Sequence, residues 1–247
     1  MNNIITQDIK IEELERFNDD ILVLWLHWGN KESQYKRLSG YIPKKFNDVF
    51  EPFAGGASFS IMLYQDHLNK GNLSHKRPIF ILNDTDYAVY SLYEKLMDLY
   101  NKSPDIQAIV KDRDAKYDVF RSKRYIYNQI LYWYNFIKNH CIIQFSDFST
   151  CLQQCSKNDL VFVDPPYYRT NYPATDKRLF DTIGEQTRLV KELNKLKSCY
   201  IMVMNNDSED IRHLYRDWNF HDEIEFKFPH WNKYPMGGIK EILITNF

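Results

Sequence analysis

The stretch Leu160-Val161-Phe162-Val163-Asp164-Pro165-Pro166-Tyr167-Tyr168 limits most tightly what this chain can fold into. An apolar run of strand type stops at an acid, two prolines and two aromatic rings. Proline lacks an amide hydrogen and fixes its own φ. Beyond Asp164 the chain therefore cannot continue as a central strand or begin a helix in the ordinary way. Asp164 and its neighbours are held rigidly at a strand end, where open α/β sheets bind their ligands. A carboxylate, carbonyls next to prolines and a flat ring suit gripping a planar base by its amino group. A strand followed by a proline turn with one solvated acid accounts for the stretch as well, so the rest of the chain has to decide.

Two earlier stretches have the same form. Asp48-Val49-Phe50-Glu51 reads as a first strand running into Pro52-Phe53-Ala54-Gly55-Gly56-Ala57-Ser58-Phe59-Ser60, followed by a helix to about Leu68. Glycines let the backbone approach a ligand closely, and a helix start offers amide groups. The third glycine and the Lys-Ser/Thr pair of a phosphate cradle are missing, so a nucleoside suits the turn at least as well. Pro78 to Leu82 reads as a second buried strand ending in Asn83-Asp84-Thr85-Asp86. An acid at that position can accept from ribose hydroxyls. Asp84 or Asp86 can instead cap the following helix, and both readings can hold with Asp84 on a ribose and Thr85 or Asp86 capping.

A chain of 247 residues can bury the core of one domain with a small insertion. A net charge of −1 gives no overall attraction to nucleic acid, so any such contact needs a local patch. The four cysteines lack zinc-site spacing, so a metal is not expected and reduced thiols are. The run Ile21 to Leu26 is too short to span a bilayer and lacks the basic flank of a signal peptide, so a cytoplasmic protein without a membrane partner is expected.

Residues 104–139 read as helical and are the most basic and aromatic part of the chain. Lys111, Arg113, Lys116, Arg121, Lys123 and Arg124 alternate with Tyr117, Tyr125, Tyr127, Tyr132, Trp133 and Tyr134. Taken singly, these are the core and solvated face of a helical subdomain. Taken together, they suit a nucleic-acid surface, with cations on phosphates and rings for stacking. Strand character returns at Cys141 to Phe145, before Ser146-Asp147-Phe148. Helices are expected at Ile183 to Lys197 and Ser208 to Trp218, with a strand at Cys199 to Met204 closed by Asn205-Asn206-Asp207. Glu223 to Phe228 and Glu241 to Thr245 complete the chain as an antiparallel hairpin on an otherwise parallel sheet.

Gly29-Asn30-Lys31, Phe53-Ala54-Gly55-Gly56, Asn83-Asp84, Asp164-Pro165-Pro166-Tyr167 and Lys240-Glu241-Ile242-Leu243-Ile244 occur in that order. In this combination the chain resembles the Dam-type (D12 class) N6-adenine-specific DNA methyltransferases over roughly residues 27–247. The resemblance implies an α/β Rossmann-like fold that uses S-adenosylmethionine, with a mostly parallel sheet, a C-terminal antiparallel hairpin and a small helical insertion. It divides the chain into an N-terminal extension (1–26), a catalytic domain (27–102 and 140–247) and a helical insertion serving target recognition (103–139).

The resemblance also implies roles. Asp164, Pro165, Pro166 and Tyr167 form the catalytic turn. Asp164 and the Pro165 carbonyl accept the two amino hydrogens of adenine, and Tyr167 stacks on the base after it leaves the duplex. His27, Trp28, Lys31, Phe53, Ala54, Gly55, Asp84, Asp147, Phe148 and Asp164 are implied at the cofactor. Lys116, Arg121, Lys123, Arg124, Tyr168 and Arg169 are expected at the nucleic acid. DNA is the implied partner, with a second protein or a homodimer as further candidates. The chain departs from the family where a target-reading hairpin belongs. Tyr132 to Ile137 runs almost directly into the strand at Cys141, and neither glycine nor proline occurs between Pro104 and Pro165.

Overall fold

The computed structural model describes residues 32–69, 78–94 apart from 88 and 92, 134–168, 182–222 and 240–247. Among these, seven strands form one sheet: β1 (Val49–Glu51), β2 (Phe80–Asp84), β3 (Cys141–Phe145), β4 (Leu160–Val163), β5 (Tyr200–Asn206), β6 (Asn219–His221) and β7 (Glu241–Thr245). Their spatial order is β3-β2-β1-β4-β5-β7-β6. The first five are parallel, and β7 runs antiparallel between β5 and β6.

The apolar runs form strands because both sheet faces are covered. Side chains alternate along a strand, so a run without polar interruption needs a core on each side. Val49, Phe80, Leu82, Leu160, Phe162, Met202, Met204 and Leu243 point into one core; Phe50, Ile81, Val161, Val163, Ile201, Val203, Ile242 and Ile244 point into the other. The first core is closed by α1 (Glu32–Leu38), α2 (Ser58–Asn69) and helical residues 87, 89–91, 93–94 and 134–140, with Phe59 stacked on Phe162 at 3.8 Å. The second is closed by α3 (Phe148–Leu152), α4 (Ile183–Leu193) and α5 (Glu209–Leu214).

Two features differ from the pattern read along the chain. Phe136 and Ile137, placed by sequence in the helical insertion, are buried in the first core, so this part of the segment packs on the sheet. The strand pairing with β7 is Asn219–His221. Helix α5 stops at Leu214 and the chain turns through Tyr215 to Trp218, whose rings meet edge-on at 5.4 Å. The expected strand at Glu223 to Phe228 lies outside the described residues.

Candidate active site

In a parallel sheet all carboxyl ends lie on one edge, so the loops after β1, β2, β3 and β4 meet. The turn after β1 is the most constrained. Gly55 has φ 48°, in the left-handed region, and Ala57 follows at φ 46°. A side chain there is disfavoured, which explains glycine at the first position and marks Ala57 as held by its surroundings. The Ala54 amide donates to the Asn83 carbonyl at 2.8 Å, the Gly55 amide to Asp84 Oδ2 at 2.9 Å, and the buried Tyr93 hydroxyl to the Gly55 carbonyl at 2.6 Å.

Asn83 ties three loops together from a fully buried position. Its Nδ2 donates to the carbonyls of Pro52 at 3.0 Å and Ser146 at 2.9 Å, and its Oδ1 accepts from Ser146 Oγ at 2.7 Å. A buried amide satisfied on both ends fixes loops that would otherwise drift. Next to it, Asp84 Oδ1 accepts from the Asp86 amide at 2.9 Å, so this carboxylate does cap the following turn while it also holds the glycine loop. A carboxylate offers about four acceptor sites, so ribose hydroxyls remain within its capacity.

Glu51, at the end of β1, is a buried acid. One oxygen accepts from the Ser60 amide at 3.0 Å, and the other has no hydrogen-bond partner. Burial pushes its carboxyl up to about 8, against the lowering effect of Ser60, and the charge of Asp164 adds to the rise. Near neutral pH the Glu51 carboxyl is therefore mostly protonated, and a cation placed beside it would favour its ionised form.

After β3, Asp147 caps α3 and accepts from the Ser149 amide at 2.9 Å. Arg188 of α4 grips both of its oxygens, each at 2.9 Å. That fork, with Ser149, holds the Asp147 carboxyl well below the usual carboxylate range. The Arg188 guanidinium also lies 4.0 Å over the Phe148 ring, whose centroid is 5.3 Å from that of Phe53, which is stacked on it. Phe148 is buried and Phe53 partly exposed, so Phe53 presents the accessible ring of the pair.

The turn Asp164-Pro165-Pro166-Tyr167 follows β4. The Tyr167 hydroxyl lies 3.1 Å from Asp164 Oδ1 and 2.7 Å from Glu241 Oε1. Gln34 of α1 donates to the other Glu241 oxygen at 3.0 Å. The Pro166 carbonyl accepts from Gln186 Nε2 at 3.1 Å, and Asn205 Nδ2 in turn donates to Gln186 Oε1 at 3.0 Å. Glu241 and Gln186 thus hold the turn directly, and the buried Gln34 and Asn205 hold them in place.

The residues expected at the site fall into three groups. Phe53, Ala54, Gly55, Asp84, Asp147, Phe148, Asp164, Pro165, Pro166 and Tyr167 all lie at strand ends or just after them on this one edge. Tyr168, expected at the nucleic acid, is buried at 7% exposure within the second core, and Tyr167 beside it is buried at 4%. His27, Trp28, Lys31, Lys116, Arg121, Lys123, Arg124 and Arg169 lie outside the described residues.

Sequence reading passed over Glu51, Gln186, Arg188, Asn205 and Glu241 as functional groups. Gln186 had a signal: it precedes Leu189, Val190 and Leu193 at helical spacing, a polar residue on a buried face. Glu241 likewise opens an uninterrupted apolar strand. Arg188 had none, since its partners are set by how α4 packs on the loop after β3.

A parallel sheet with one reversed strand between its last two neighbours, and nucleoside-type loops on its carboxyl edge, defines an S-adenosylmethionine-dependent methyltransferase fold. A solved neighbour with this fold is SMU.472, a putative methyltransferase complexed with SAH; it matches with a TM-score of 0.51 at 10% identity over 89% of this chain and 53% of that one. The chain thus spans about half the length of that neighbour. The sequence model of the D12 class N6 adenine-specific DNA methyltransferases matches residues 27–129 and 115–228, and the chain belongs to this family. A relative is the Type II methyltransferase M1.LlaDCHI of Lactococcus lactis subsp. cremoris, 22% identical over 268 residues that cover 89% of this chain and 93% of the relative.

Family membership brings methyltransferase activity with S-adenosylmethionine as the donor. The residues present fit that group. Gly55 permits close approach, Asp84 can receive a ribose, and the unpartnered oxygen of buried Glu51 suits a ligand that carries both ammonium and sulfonium charge. Among the described residues, no cluster of His, Cys, Asp or Glu could hold a metal ion, and no helix is long and apolar enough to cross a membrane.

Proposed function

We propose that the chain transfers a methyl group from S-adenosylmethionine to the exocyclic N6 of adenine in DNA, on a base flipped out of the duplex. The observation that carries this reading is the meeting of Asp164, Asp84 and Gly55 on one sheet edge, reached through parallel pairing of β4, β1 and β2. S-adenosylmethionine supplies an activated methyl group on its sulfonium.

The adenine amino group is a poor nucleophile because its lone pair is delocalised into the ring. Asp164 and the Pro165 carbonyl accept its two hydrogens and turn the lone pair toward the methyl group. The gain comes from orientation and preorganised charge, with no covalent enzyme intermediate. Pinning of the Pro166 carbonyl by Gln186 keeps the turn from relaxing. Tyr167 supplies a ring, fixed at its hydroxyl, against which the extruded base stacks. Asp84 holds the ribose, while Phe53, Ala54, Gly55, Asp147 and Phe148 line the cofactor, with His27, Trp28 and Lys31 at its open side.

Residues 103–139 are proposed as a reduced target-recognition segment, with Lys116, Arg121, Lys123 and Arg124, joined by Arg169, on phosphates. The shortened segment favours help from a second protein or a second copy in target reading. The type II relative favours a restriction-modification setting in a cytoplasmic compartment.

The test is incubation of the full chain with methyl-labelled S-adenosylmethionine and duplex DNA, single-stranded DNA or RNA, followed by nucleoside analysis. N6-methyladenine formed fastest in duplex DNA is expected. Product confined to RNA or single strands transfers the same chemistry to that substrate. Cofactor binding without turnover, rescued by a second protein, identifies a subunit. No methyladenine under any of these conditions sinks the reading.

A further inference from the structure

We propose that Glu241 is a positioning residue for methyl transfer, acting on Asp164 through the Tyr167 hydroxyl. The inference rests on the methyltransferase reading and adds a residue to it. A phenolic hydroxyl has a single hydrogen, yet the Tyr167 oxygen lies between two carboxyl oxygens, Glu241 Oε1 at 2.7 Å and Asp164 Oδ1 at 3.1 Å. The hydrogen can be donated to one of them at a time, and the shorter contact marks Glu241 as the stronger claimant.

What this does for catalysis follows from what Asp164 has to do. It is needed as the acceptor for one amino hydrogen of the target base, the other going to the Pro165 carbonyl. A hydroxyl hydrogen directed at Oδ1 occupies acceptor capacity and weakens the negative charge there. With the hydrogen drawn to Glu241, the hydroxyl oxygen limits where Oδ1 can sit without consuming it. Asp164 then stays a full acceptor in a fixed place, which is preorganisation of the kind that lowers a barrier without changing ground-state binding.

The rest of the site is built to keep Glu241 in this role. It is 4% exposed at the first position of β7, a strand buried along its whole length. Gln34, 5% exposed on α1, donates to its second oxygen at 3.0 Å. The antiparallel pairing of Glu241 with Asn206 on β5 sets it at the catalytic edge, whereas β7 run parallel would begin at the opposite edge. The reversed last strand therefore has a chemical consequence: it delivers an acid to the turn that follows β4.

The experiment is a double-mutant cycle with E241Q and Y167F. The Gln34 amide can turn over to present its other end, since Gln34 Oε1 is buried without a partner, so E241Q removes charge with little change in shape. E241Q is expected to lower kcat about 10-fold with the dissociation constant for the cofactor unchanged, and to add less than about 2-fold once Y167F has removed the hydroxyl. Gln34→Ala, which loosens Glu241 from the side away from Asp164, should give a smaller loss of the same kind; it stands in if E241Q does not fold. An equal loss in both backgrounds overturns the proposal, as does an unchanged kcat or a loss confined to cofactor affinity. A readout without turnover accompanies these. The Asp164 carboxylate stretch in isotope-edited infrared spectra should shift in E241Q as the hydroxyl turns toward it, and should not differ between Y167F and Y167F/E241Q. A wild-type chain that methylates nothing overturns the functional reading and the catalytic role together, and the infrared arm still decides whether Glu241 controls the hydroxyl.

Discussion

The Gly55 amide donates to the Asp84 carboxylate at 2.9 Å, joining the loop after β1 to the end of β2. The acid that would hold a ribose thus also fixes the backbone against which a nucleoside must lie. Cofactor affinity and loop order are coupled through one side chain. Asp84→Ala is expected to weaken S-adenosylmethionine binding by at least about 10-fold and to lower stability by about 1–3 kcal/mol, because two amides lose a charged acceptor. Calorimetry and urea denaturation measure the two separately, and unchanged affinity would remove Asp84 from the ribose.

Asp164→Ala should behave in the opposite way. Transfer is expected to fall by about 10²–10³-fold or more, since a preorganised acceptor is lost, while cofactor binding stays measurable. Single-turnover kinetics with labelled cofactor test this. Wild-type rates would show that Asp164 does not contact the amino group.

Glu51 makes stability depend on pH. Its folded carboxyl titrates at about 8 against an ordinary 4.5, so between these values the folded protein holds a proton that the unfolded chain has released. Stability should therefore fall as pH rises through this window, and E51Q should flatten the slope and be the more stable form at pH 8. Urea midpoints at several pH values give the answer; a slope unaltered by E51Q would place its origin elsewhere. If the cationic cofactor ionises Glu51, binding near pH 7 should release a proton, read from calorimetric heats in buffers of different ionisation enthalpy.

The Asp147–Arg188 pair titrates outside that window. Asp147 is held below its ordinary range first by the Arg188 hydrogen bonds. The stabilisation is complete above the unfolded carboxyl value and is lost only as pH falls through the lowered one, so it contributes no pH dependence near neutrality. Both side chains are about two-fifths exposed (39% and 43%), so solvent screening limits the pair, and Arg188→Ala should cost only about 1 kcal/mol, including lost packing on Phe148. Arg188→Lys should restore less than half, because an ammonium cannot make the two-pronged contact. Full restoration, seen in urea midpoints, would mean that charge alone matters.

Asn83→Ala is expected to be the most damaging of the structural changes, by about 2–4 kcal/mol, since it strands the carbonyls of Pro52 and Ser146 and the Ser146 hydroxyl together. Thermal melts with and without the cofactor measure it. A loss below 1 kcal/mol would show that the three loops hold one another without the amide.

The sequence by itself determined the strands and the proline turn after β4. Uninterrupted apolar runs can be satisfied only by a sheet covered on both faces, and a proline pair admits only one kind of strand ending, so β1, β2, β4 and the Asp164 turn were legible from local chemistry. The glycine turn at residue 55 was legible as a place of close backbone approach, while its left-handed φ was visible only in the structure. Helix ends and the partner of β7 were not, because capping and packing at Tyr215 and Trp218 decide where α5 stops. Tertiary structure alone decided which polar groups meet. Gln34 and Glu241 are 207 residues apart in the chain, and Tyr167 and Glu241 are 74 apart. No local pattern encodes such pairings. They arise because a reversed last strand brings its first residue to the edge where the parallel strands end, and there a buried acid must find its partners.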